Sequence, residues 1–393
     1  MLLHRKPVIL LPGFGGSKLV NSNGTCPFPP KRQMTPTPIA KKNGFINLSV
    51  FEKDWEAKYR LKFDKQTGLS MDDNIDVHDF GGVEGIRNLC EDCTHIDNVL
   101  SYVMKKEVIN NAYNYKYFDT LVKCFERTGY VVGNDLFGAP YDFRKIMIPE
   151  YLTSYFGKLK ALIERSVETT GRKGVIVCHS IGCLIFYMFL VEYCDTDWKH
   201  KHIDKFISVA GPYGGSSIAL KTLFSGLPRL NFLKDKYFSV IQNSTGMILA
   251  LPNMLGYAGD QIILHDQSNR RSYRVHDYFE VLPEVAQHVW VNDVQHHLQS
   301  LLKNTEVDTI FVTCTSHATD VRYTYSDITK NLCKEPIIIK NCRGDSVIPR
   351  KSLLFHNKNR QLYPNYRFID VPNTEHTKIL HTKQLLNIIK DNL

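Results

Sequence analysis

Apolar positions along this chain form two patterns, short extended runs and longer segments with helical spacing. The extended runs are "PVILL" (7–11), "VIV" (175–177), "KFISV" (205–209), "VDTIFVTC" (307–314), "EPIIIK" (335–340) and "YRFIDV" (366–371). Helical spacing is found at Phe118, Leu121, Val122 and Phe125 before Gly129, at Phe156, Leu159, Ile163 and Val167 before Gly171, and in the last fifteen residues. Apolar strands separated by helices predict an α/β fold, with a mostly parallel sheet covered by helices on both faces.

Two segments interrupt this alternation. Residues 20–80 are polar and rich in Pro and Lys, and residues 217–305 lack regular strand–helix alternation. We therefore predict an α/β core with two insertions: the core comprises 1–25, 81–216 and 306–393, a lid-like insertion comprises 26–80, and a cap insertion comprises 217–305.

The composition is that of a globular protein. The 393 residues are 43% hydrophobic and 23% charged, which excludes a disordered chain. The net charge of +9 is compatible with simple solubility or with attraction to an anionic lipid surface. No run of Lys and Arg is long enough to favour nucleic acid, so we expect no nucleic-acid partner.

Cysteine usage and hydropathy limit the possible cofactors and compartments. The ten cysteines are scattered, and the single CxxC at Cys90 and Cys93 has no second pair at zinc spacing, so we expect no metal and no cofactor. No stretch reaches the length of a membrane span, and the apolar run from Pro7 is needed as the first strand rather than as a signal peptide. These features predict a non-secreted protein, cytoplasmic or peripheral to intracellular membranes.

The segment "VIVCHSIGCLIFYMFL" raises the first chemical hypothesis. Ser180 lies where an apolar strand run meets an apolar helix, with Cys178 and Gly182 as small flanking residues. This is the pattern of a nucleophile elbow, G-x-S-x-G, with Cys in the first small position. The alternative is a serine that caps the N-terminus of a buried helix.

A nucleophilic serine needs a base and an orienting acid, which in this fold follow it in the order acid then histidine. Asp345 lies in a Gly-Asp turn after an apolar run, and His376 lies in a polar loop before the last helix. The alternatives are a turn-forming aspartate and a solvated loop histidine. Asp320 and Asp370 are weaker rivals for the acid.

An acyl transition state also needs two convergent N–H donors. We assign one to the amide of Ile181, directly after the serine, and the other to the glycine-rich turn "PGFGGS", at Phe14. Glycines at 13, 15 and 16 allow close approach of this backbone to a substrate. The alternative is a plain glycine turn.

These residues together resemble the lecithin:cholesterol acyltransferase family, whose relatives include lysosomal phospholipase A and plant phospholipases and acyltransferases. The matching motifs are "PVILLPGFGGSKL", "GYVVGNDLFGAPYDFR", "CHSIGCLIFYMFL", "FISVAGPYGGS", "CRGDSVIPRKSL" and "EHTKIL". The resemblance implies an α/β-hydrolase core, a cap and an N-terminal membrane-binding subdomain. It also implies a triad of Ser180, Asp345 and His376, with Phe14 and Ile181 as oxyanion amides.

The chain departs from its secreted relatives in its cysteines. Those relatives close the N-terminal lid with a disulfide, whereas 27–80 here contains no cysteine. They have a second bridge after the acid loop, where Cys342 matches the first half and His356 stands at the second position. The loss of both bridges agrees with a reducing compartment.

Two further groups of residues have structural and functional interpretations. Asp142 and Arg144 of "GAPYDFR" either form an ion pair beneath the site or contact a lipid head group. Phe45 and Trp55, among nearby lysines, either insert at a bilayer interface or pack a small satellite core.

The sequence thus predicts a serine-dependent lipid acyl hydrolase or O-acyltransferase. We expect it to cleave glycerophospholipid esters at a membrane surface and to pass the acyl group to water or to a sterol, diacylglycerol or other lipid alcohol. The alternatives are an α/β-hydrolase that acts on small soluble esters and a non-catalytic lipid-binding member of the fold.

Overall fold

The computed structural model describes residues 5–21, 59–71, 74–88, 116–226, 239–328, 335–358 and 360–393. Their strands, in chain order, are β1 Val8–Leu11, β2 Leu19–Asn21, β3 Phe63–Asp64, β4 Gly68–Leu69, β5 Ile75–Val77, β6 Leu136–Gly138, β7 Gly174–His179, β8 Ile203–Val209, β9 Ile262–Asp266, β10 Arg271–Arg274, β11 Thr309–Thr313, β12 His317–Tyr325, β13 Ile338–Gly344 and β14 Tyr366–Asp370.

The α-helices within the same residues are α1 Glu84–Arg87, α2 Asp119–Arg127, α3 Pro149–Thr170, α4 Ile181–Met188, α5 Thr196–His202, α6 Ser217–Ser225, α7 Thr245–Leu249, α8 Glu284–Val289, α9 Arg350–Leu353, α10 Phe355–Lys358 and α11 Lys383–Lys390. The 3₁₀ segments are Tyr278–Val281, Gln295–Leu302, Arg360–Leu362 and Lys378–His381, and the π-helical segments are Phe189–Tyr193 and Trp290–Val294.

The centre of the molecule is a six-stranded sheet in the order β14-β11-β8-β7-β1-β6, in which every neighbouring pair is parallel. Alternate residues of β1 enter different apolar clusters: Ile9 and Leu11 pack on the side of α3, and Val8 and Leu10 pack on the side of α2 and α11. Both faces of the sheet are therefore buried, which explains why its strands read as continuous apolar runs. The predicted parallel sheet with helices on both faces is confirmed.

Helix boundaries follow the local signals expected from the sequence. Helix α3 begins with Pro149 at its first turn, where a missing N–H costs nothing, and ends at Gly171 in the left-handed conformation, with φ of 65°. Helix α2 ends shortly before Gly129, which has φ of 86°. Both helices were predicted from apolar spacing and are confirmed, and the predicted last helix is present as α11, directly after the 3₁₀ segment Lys378–His381.

A second sheet of four strands has the order β10-β9-β12-β13. The prediction that 335–340 forms a strand of the central sheet was wrong, because β13 pairs antiparallel with β12 in this second sheet. Ile337, Ile338 and Ile339 are 53%, 49% and 40% exposed. An apolar, β-branched run predicts a strand but does not specify its sheet, since edge and core strands share that composition.

The same sheet links segments that the sequence analysis assigned to different units. Strands β9 and β10 come from the predicted cap, and β12 and β13 come from the predicted core. The division into core, lid and cap at the stated boundaries stays a prediction.

The base of the N-terminal insertion is closed by an antiparallel ladder between β2 and β5, in which Leu19 pairs with Val77.

Phe45 and Trp55 lie outside the described residues, and their membrane role stays a prediction. Among the described helices, none combines the length and the apolar character needed to cross a bilayer.

Candidate active site

Ser180 occupies a sharp turn between β7 and α4. Its backbone has φ of 56° and ψ of −132°, a strained conformation for a residue with a side chain. Neighbouring chain approaches closely on both sides: a Cβ added to Gly182 would lie 2.3 Å from the Pro12 carbonyl oxygen, and one added to Gly13 would lie 2.6 Å from the Ser180 Cβ. The turn therefore lifts a half-buried serine from a fully buried strand, as a nucleophile elbow does.

Cys178 fills the first small position of the elbow without a chemical role. It is fully buried in the sheet between β1 and β8. Burial raises the pKa of its thiol well above the usual value, which leaves it protonated and unreactive.

His376 lies within hydrogen-bond distance of both predicted partners. Its Nε2 is 2.9 Å from the Ser180 Oγ, and its Nδ1 is 2.7 Å from the Asp345 Oδ2. An ionised carboxylate only accepts, so Nδ1–H donates to Asp345 and Nε2 is left to accept from the serine hydroxyl. The amide of His376 also donates to the Asp345 carbonyl oxygen at 2.8 Å, which ties the two loops together.

Asp345 is held rigidly in a turn directly after β13. The side chain is fully buried, and its Oδ1 accepts the amides of Val347 at 2.9 Å and Ile348 at 2.6 Å. Those bonds orient the carboxylate so that Oδ2 faces the histidine. The rival acids are engaged elsewhere: Asp320 accepts from Tyr323 and Asp370 from Thr313, and neither is bonded to His376.

The two predicted oxyanion amides flank the serine. Among the described residues, the N–H groups of Phe14 and Ile181 donate to no acceptor, whereas the neighbouring amide of Gly13 donates to the Tyr117 Oη at 2.8 Å. An unpaired amide at the first helical position is intrinsic to a helix N-terminus. An oxyanion hole requires two donors without another acceptor, and here one directly follows the serine and the other lies in the adjacent glycine-rich turn.

A model of the lecithin:cholesterol acyltransferase family matches residues 46–388 of this chain. The chain belongs to the lecithin:cholesterol acyltransferase family. The matched region includes Ser180, Asp345 and His376 and begins after Phe14.

Curated proteins similar to this family member carry names of acyltransferases and a phospholipase. The chain is 29% identical over 174 residues to the lysosomal phospholipase A and acyltransferase of Canis lupus familiaris, covering 43% of this chain and 41% of that protein. It is 34% identical over 142 residues to the phosphatidylcholine-sterol acyltransferase of Mus musculus (35% and 32%). It is 26% identical over 302 residues to lecithin-cholesterol acyltransferase-like 1 of Arabidopsis thaliana (70% and 65%). The aligned parts thus span less than two thirds of each relative.

Among solved structures, one likeness extends over nearly the whole family member. The match to a chain in the crystal structure of the Tle4-Tli4 complex covers 98% of this chain and 98% of that chain, with a TM-score of 0.52 and 13% sequence identity. At that identity the likeness shows the fold alone. Together with the family match, it supports the α/β-hydrolase fold predicted from the sequence.

The motif "GAPYDFR" of this family member is structural. Asp142 and Arg144 are 0% and 1% exposed and form a bidentate pair, with Nη2–Oδ2 at 2.5 Å and Nε–Oδ1 at 3.0 Å. Arg144 also donates to the carbonyl oxygen of Tyr59, within the N-terminal insertion, at 2.8 Å. Complete burial favours the ion-pair interpretation over contact with a lipid head group.

Phe143 of the same motif contacts the glycine-rich turn 12–17, which we call the oxyanion loop. Its ring lies 4.8 Å from that of Phe14, and its carbonyl oxygen accepts the amide of Gly246 at 3.0 Å. The motif therefore connects the insertion, the oxyanion loop and the predicted cap. Apart from the motif itself, no pattern in the sequence indicates this contact.

Both positions at which the secreted relatives have their second disulfide, Cys342 and His356 here, lie among the described residues. Cys342 is a free thiol in β13, and His356 is buried with its Nε2 2.9 Å from the carbonyl oxygen of Leu301. No group of His, Cys, Asp and Glu side chains in the described part of the chain is arranged to hold a metal ion. The compartment stays a prediction.

Proposed function

We propose that this family member is a serine-dependent lipid acyl hydrolase or O-acyltransferase that acts on glycerophospholipid esters. The observation that carries the proposal is the hydrogen-bonded series Ser180–His376–Asp345, in which a strained, half-buried serine faces an oriented imidazole. Ser, His and Asp in this geometry are the machinery of acyl transfer on many folds.

In the first half of the reaction, the Ser180 Oγ attacks the ester carbonyl while His376 Nε2 takes the hydroxyl proton. The carbonyl oxygen becomes an oxyanion, which the amides of Phe14 and Ile181 stabilise. The tetrahedral intermediate collapses, the C–O bond to the leaving alcohol breaks, and His376 returns the proton to that alkoxide. Asp345 keeps the imidazole in the required tautomer and stabilises its charged form.

In the second half, water or the hydroxyl of a lipid alcohol attacks the acyl-enzyme. His376 removes the proton of the attacking group and delivers it to the Ser180 oxygen as the ester bond to the enzyme breaks. The choice of phospholipid as donor is supported by the family and by the names of two relatives. One is named a phospholipase A and acyltransferase, and the other a phosphatidylcholine-sterol acyltransferase. A sterol or diacylglycerol acceptor, peripheral membrane binding and a cytoplasmic location belong to the same proposal.

The direct test uses vesicles of a phospholipid with different sn-1 and sn-2 chains, with and without sterol or diacylglycerol, and analyses the products by mass. We expect lysophospholipid together with free fatty acid or acylated alcohol. Ser180→Ala serves as the control and is expected to yield neither product while keeping its folded state.

Other outcomes separate the alternatives. Turnover of a soluble ester without any vesicle product would favour a small-ester hydrolase. A folded wild-type protein that releases no acyl group from either substrate would favour a non-catalytic lipid-binding role.

A further inference from the structure

A buried chain of hydrogen bonds passes behind the candidate nucleophile. It begins at the amide of Gly13, 2.8 Å from the Tyr117 Oη, continues from Tyr117 to the Nδ1 of His179, and ends where the His179 Nε2 lies 2.9 Å from the carbonyl oxygen of His376. Tyr117 and His179 are 5% and 2% exposed. The chain thus connects the oxyanion loop, the residue before Ser180 and the backbone of the candidate base.

The direction of each bond follows from the group that ends the series, the carbonyl oxygen of His376. The carbonyl oxygen of His376 only accepts, so a neutral His179 carries its hydrogen on Nε2 and presents a lone pair at Nδ1. Tyr117 therefore donates to His179, and its oxygen remains free to accept the amide of Gly13. For a neutral His179, this single tautomer is the one that satisfies all three bonds.

The surroundings keep both side chains in these protonation states. Burial raises the pKa of the Tyr117 hydroxyl far above its usual value, so the phenol stays a donor. Burial, together with the nearby imidazole of His376, lowers the pKa of His179 well below its usual value. The rings of His179 and His376 are 4.8 Å apart, so a charge on His179 would oppose the charge that His376 must acquire during proton transfer.

We propose that Tyr117 and His179 are positioning residues that set the oxyanion loop and the backbone of His376 at fixed places on either side of Ser180. The inference rests on the proposed acyl-transfer function. Neither side chain touches the reacting atoms: Tyr117 acts through the Gly13 amide, which orients the next peptide, that of Phe14. His179 acts through the carbonyl oxygen of the residue whose imidazole takes the proton.

The exact placement of catalytic groups controls the turnover rate rather than the binding of substrate. A misplacement of about 1 Å in a catalytic group reduces turnover by about a hundredfold even when the change is made away from the chemistry. A purely structural tyrosine would instead lower stability and the fraction of active protein, without changing the turnover of each correctly folded molecule.

The test measures kcat and KM of Tyr117→Phe on a soluble p-nitrophenyl ester, with reactive serines counted by a fluorophosphonate probe. The matched control is Tyr366→Phe, because the buried Tyr366 Oη likewise accepts a backbone amide, that of Thr305 at 2.9 Å, and bonds a second side chain, Tyr187 at 2.8 Å. Tyr366 lies at the first residue of β14, at the opposite end of that strand from the His376 loop. Both variants are expected to melt a few degrees below wild type.

For Tyr117→Phe we expect kcat per labelled serine to fall by about ten- to a hundredfold with KM within about twofold of wild type. Tyr366→Phe is expected to keep the wild-type kcat. Wild-type kcat in Tyr117→Phe, or equal losses in the two variants, would overturn the inference.

A second pair of variants covers the case in which Tyr117→Phe does not fold. His179→Gln offers an N–H for the His376 carbonyl oxygen and an oxygen for the Tyr117 hydroxyl, whereas His179→Leu offers neither. We expect the glutamine variant to keep at least about tenfold more kcat than the leucine variant, and equal values would contradict the proposal.

Failure of the underlying function gives a different result. If wild type is not labelled at Ser180, or Ser180→Ala retains full turnover, both the function and this inference fall. If wild-type labelling is normal and depends on Ser180 while Tyr117→Phe turns over normally, the positioning role alone is wrong.

Discussion

At the scale of single residues, two hydrogen bonds define the candidate site: one joins the Ser180 Oγ to the His376 Nε2, and the other joins the His376 Nδ1 to the Asp345 Oδ2. Chain order and strand position predict these three residues, because each follows an apolar run in the order that the fold requires. The two contacts, both made by His376, are 2.9 Å and 2.7 Å long. The catalytic roles of the three residues stay predictions. The Tyr117–His179 contact was not predicted, because its partners are 62 residues apart and neither residue type alone indicates a buried pair.

The glycine-rich turn gives the residue-scale prediction. Gly13→Ala places a Cβ 2.6 Å from the Ser180 Cβ and 3.0 Å from the Tyr117 Oη, so the oxyanion loop must move away from the serine. We expect kcat on a soluble ester to fall by about a hundredfold or more. Steady-state kinetics, normalised to folded protein, measures the effect.

Gly157→Ala is the matched control for that substitution. Gly157 lies within α3, and an added Cβ would have only the Tyr193 Oη near it, at 3.5 Å. Alanine is the better helix former by about 1 kcal/mol, so this variant should be as active as wild type and at least as stable. Equal activity in the two variants would show that the close approach at Gly13 does not matter for turnover.

At the scale of elements, periodicity predicted most of the central sheet and its long helices but assigned one strand to the wrong sheet. Continuous burial of β1, β7 and β11 on both faces produces apolar runs that are visible in the sequence. The run at 335–340 has the same composition but belongs to an exposed strand of the second sheet. Strands β9 and β10 were missed because the apolar run of β9 is only three residues long, 262–264, and β10 has one aromatic residue, Tyr273, among polar ones.

Truncation of isoleucine distinguishes the two kinds of strand. Ile310 in β11 is fully buried, and Ile338 in β13 is 49% exposed. We expect Ile310→Ala to lower the free energy of unfolding by about 2–5 kcal/mol, because it leaves a cavity in the core. Ile338→Ala should change it by about 0.5 kcal/mol or less.

Urea unfolding of both variants measures these differences. A cost for Ile338→Ala close to that of Ile310→Ala would mean that β13 is buried in the folded protein, as the sequence alone suggested. The comparison therefore tests the corrected assignment of this strand directly.

At the scale of the whole molecule, the fold buries imidazoles that stay neutral. His356 is enclosed by the rings of Tyr187, Tyr213 and Phe311, and its Nδ1 has no partner among the described residues. Burial lowers its pKa from 6.5 to about 4. The sequence marked His356 only as the place of a missing cysteine, since its aromatic enclosure arises from tertiary packing.

This depressed pKa makes stability depend on pH. The unfolded chain binds the His356 proton more readily, so the stabilisation is fully present above about pH 6.5 and is lost as the pH falls towards 4. The slope contributed by one such proton approaches about 1.4 kcal/mol per pH unit. Urea unfolding between pH 7 and pH 4 should show this decline.

His356→Phe tests the cause of that decline. The substitution removes the titrating group, so the slope between pH 6.5 and 4 should decrease by roughly one proton, even though the loss of the bond to Leu301 lowers stability at neutral pH. An unchanged slope would show that other groups, such as buried His179, account for the acid sensitivity.

Mapping the residue to which an electrophilic lipid analogue becomes attached tests most directly whether Ser180 is the nucleophile. The protein is incubated with an alkyl fluorophosphonate, digested and mapped by mass spectrometry. We expect one phosphonyl group on the peptide that contains Ser180, no such group in Ser180→Ala, and much slower labelling in His376→Ala. Labelling of folded wild-type protein at another residue, or labelling that persists in Ser180→Ala, would contradict it.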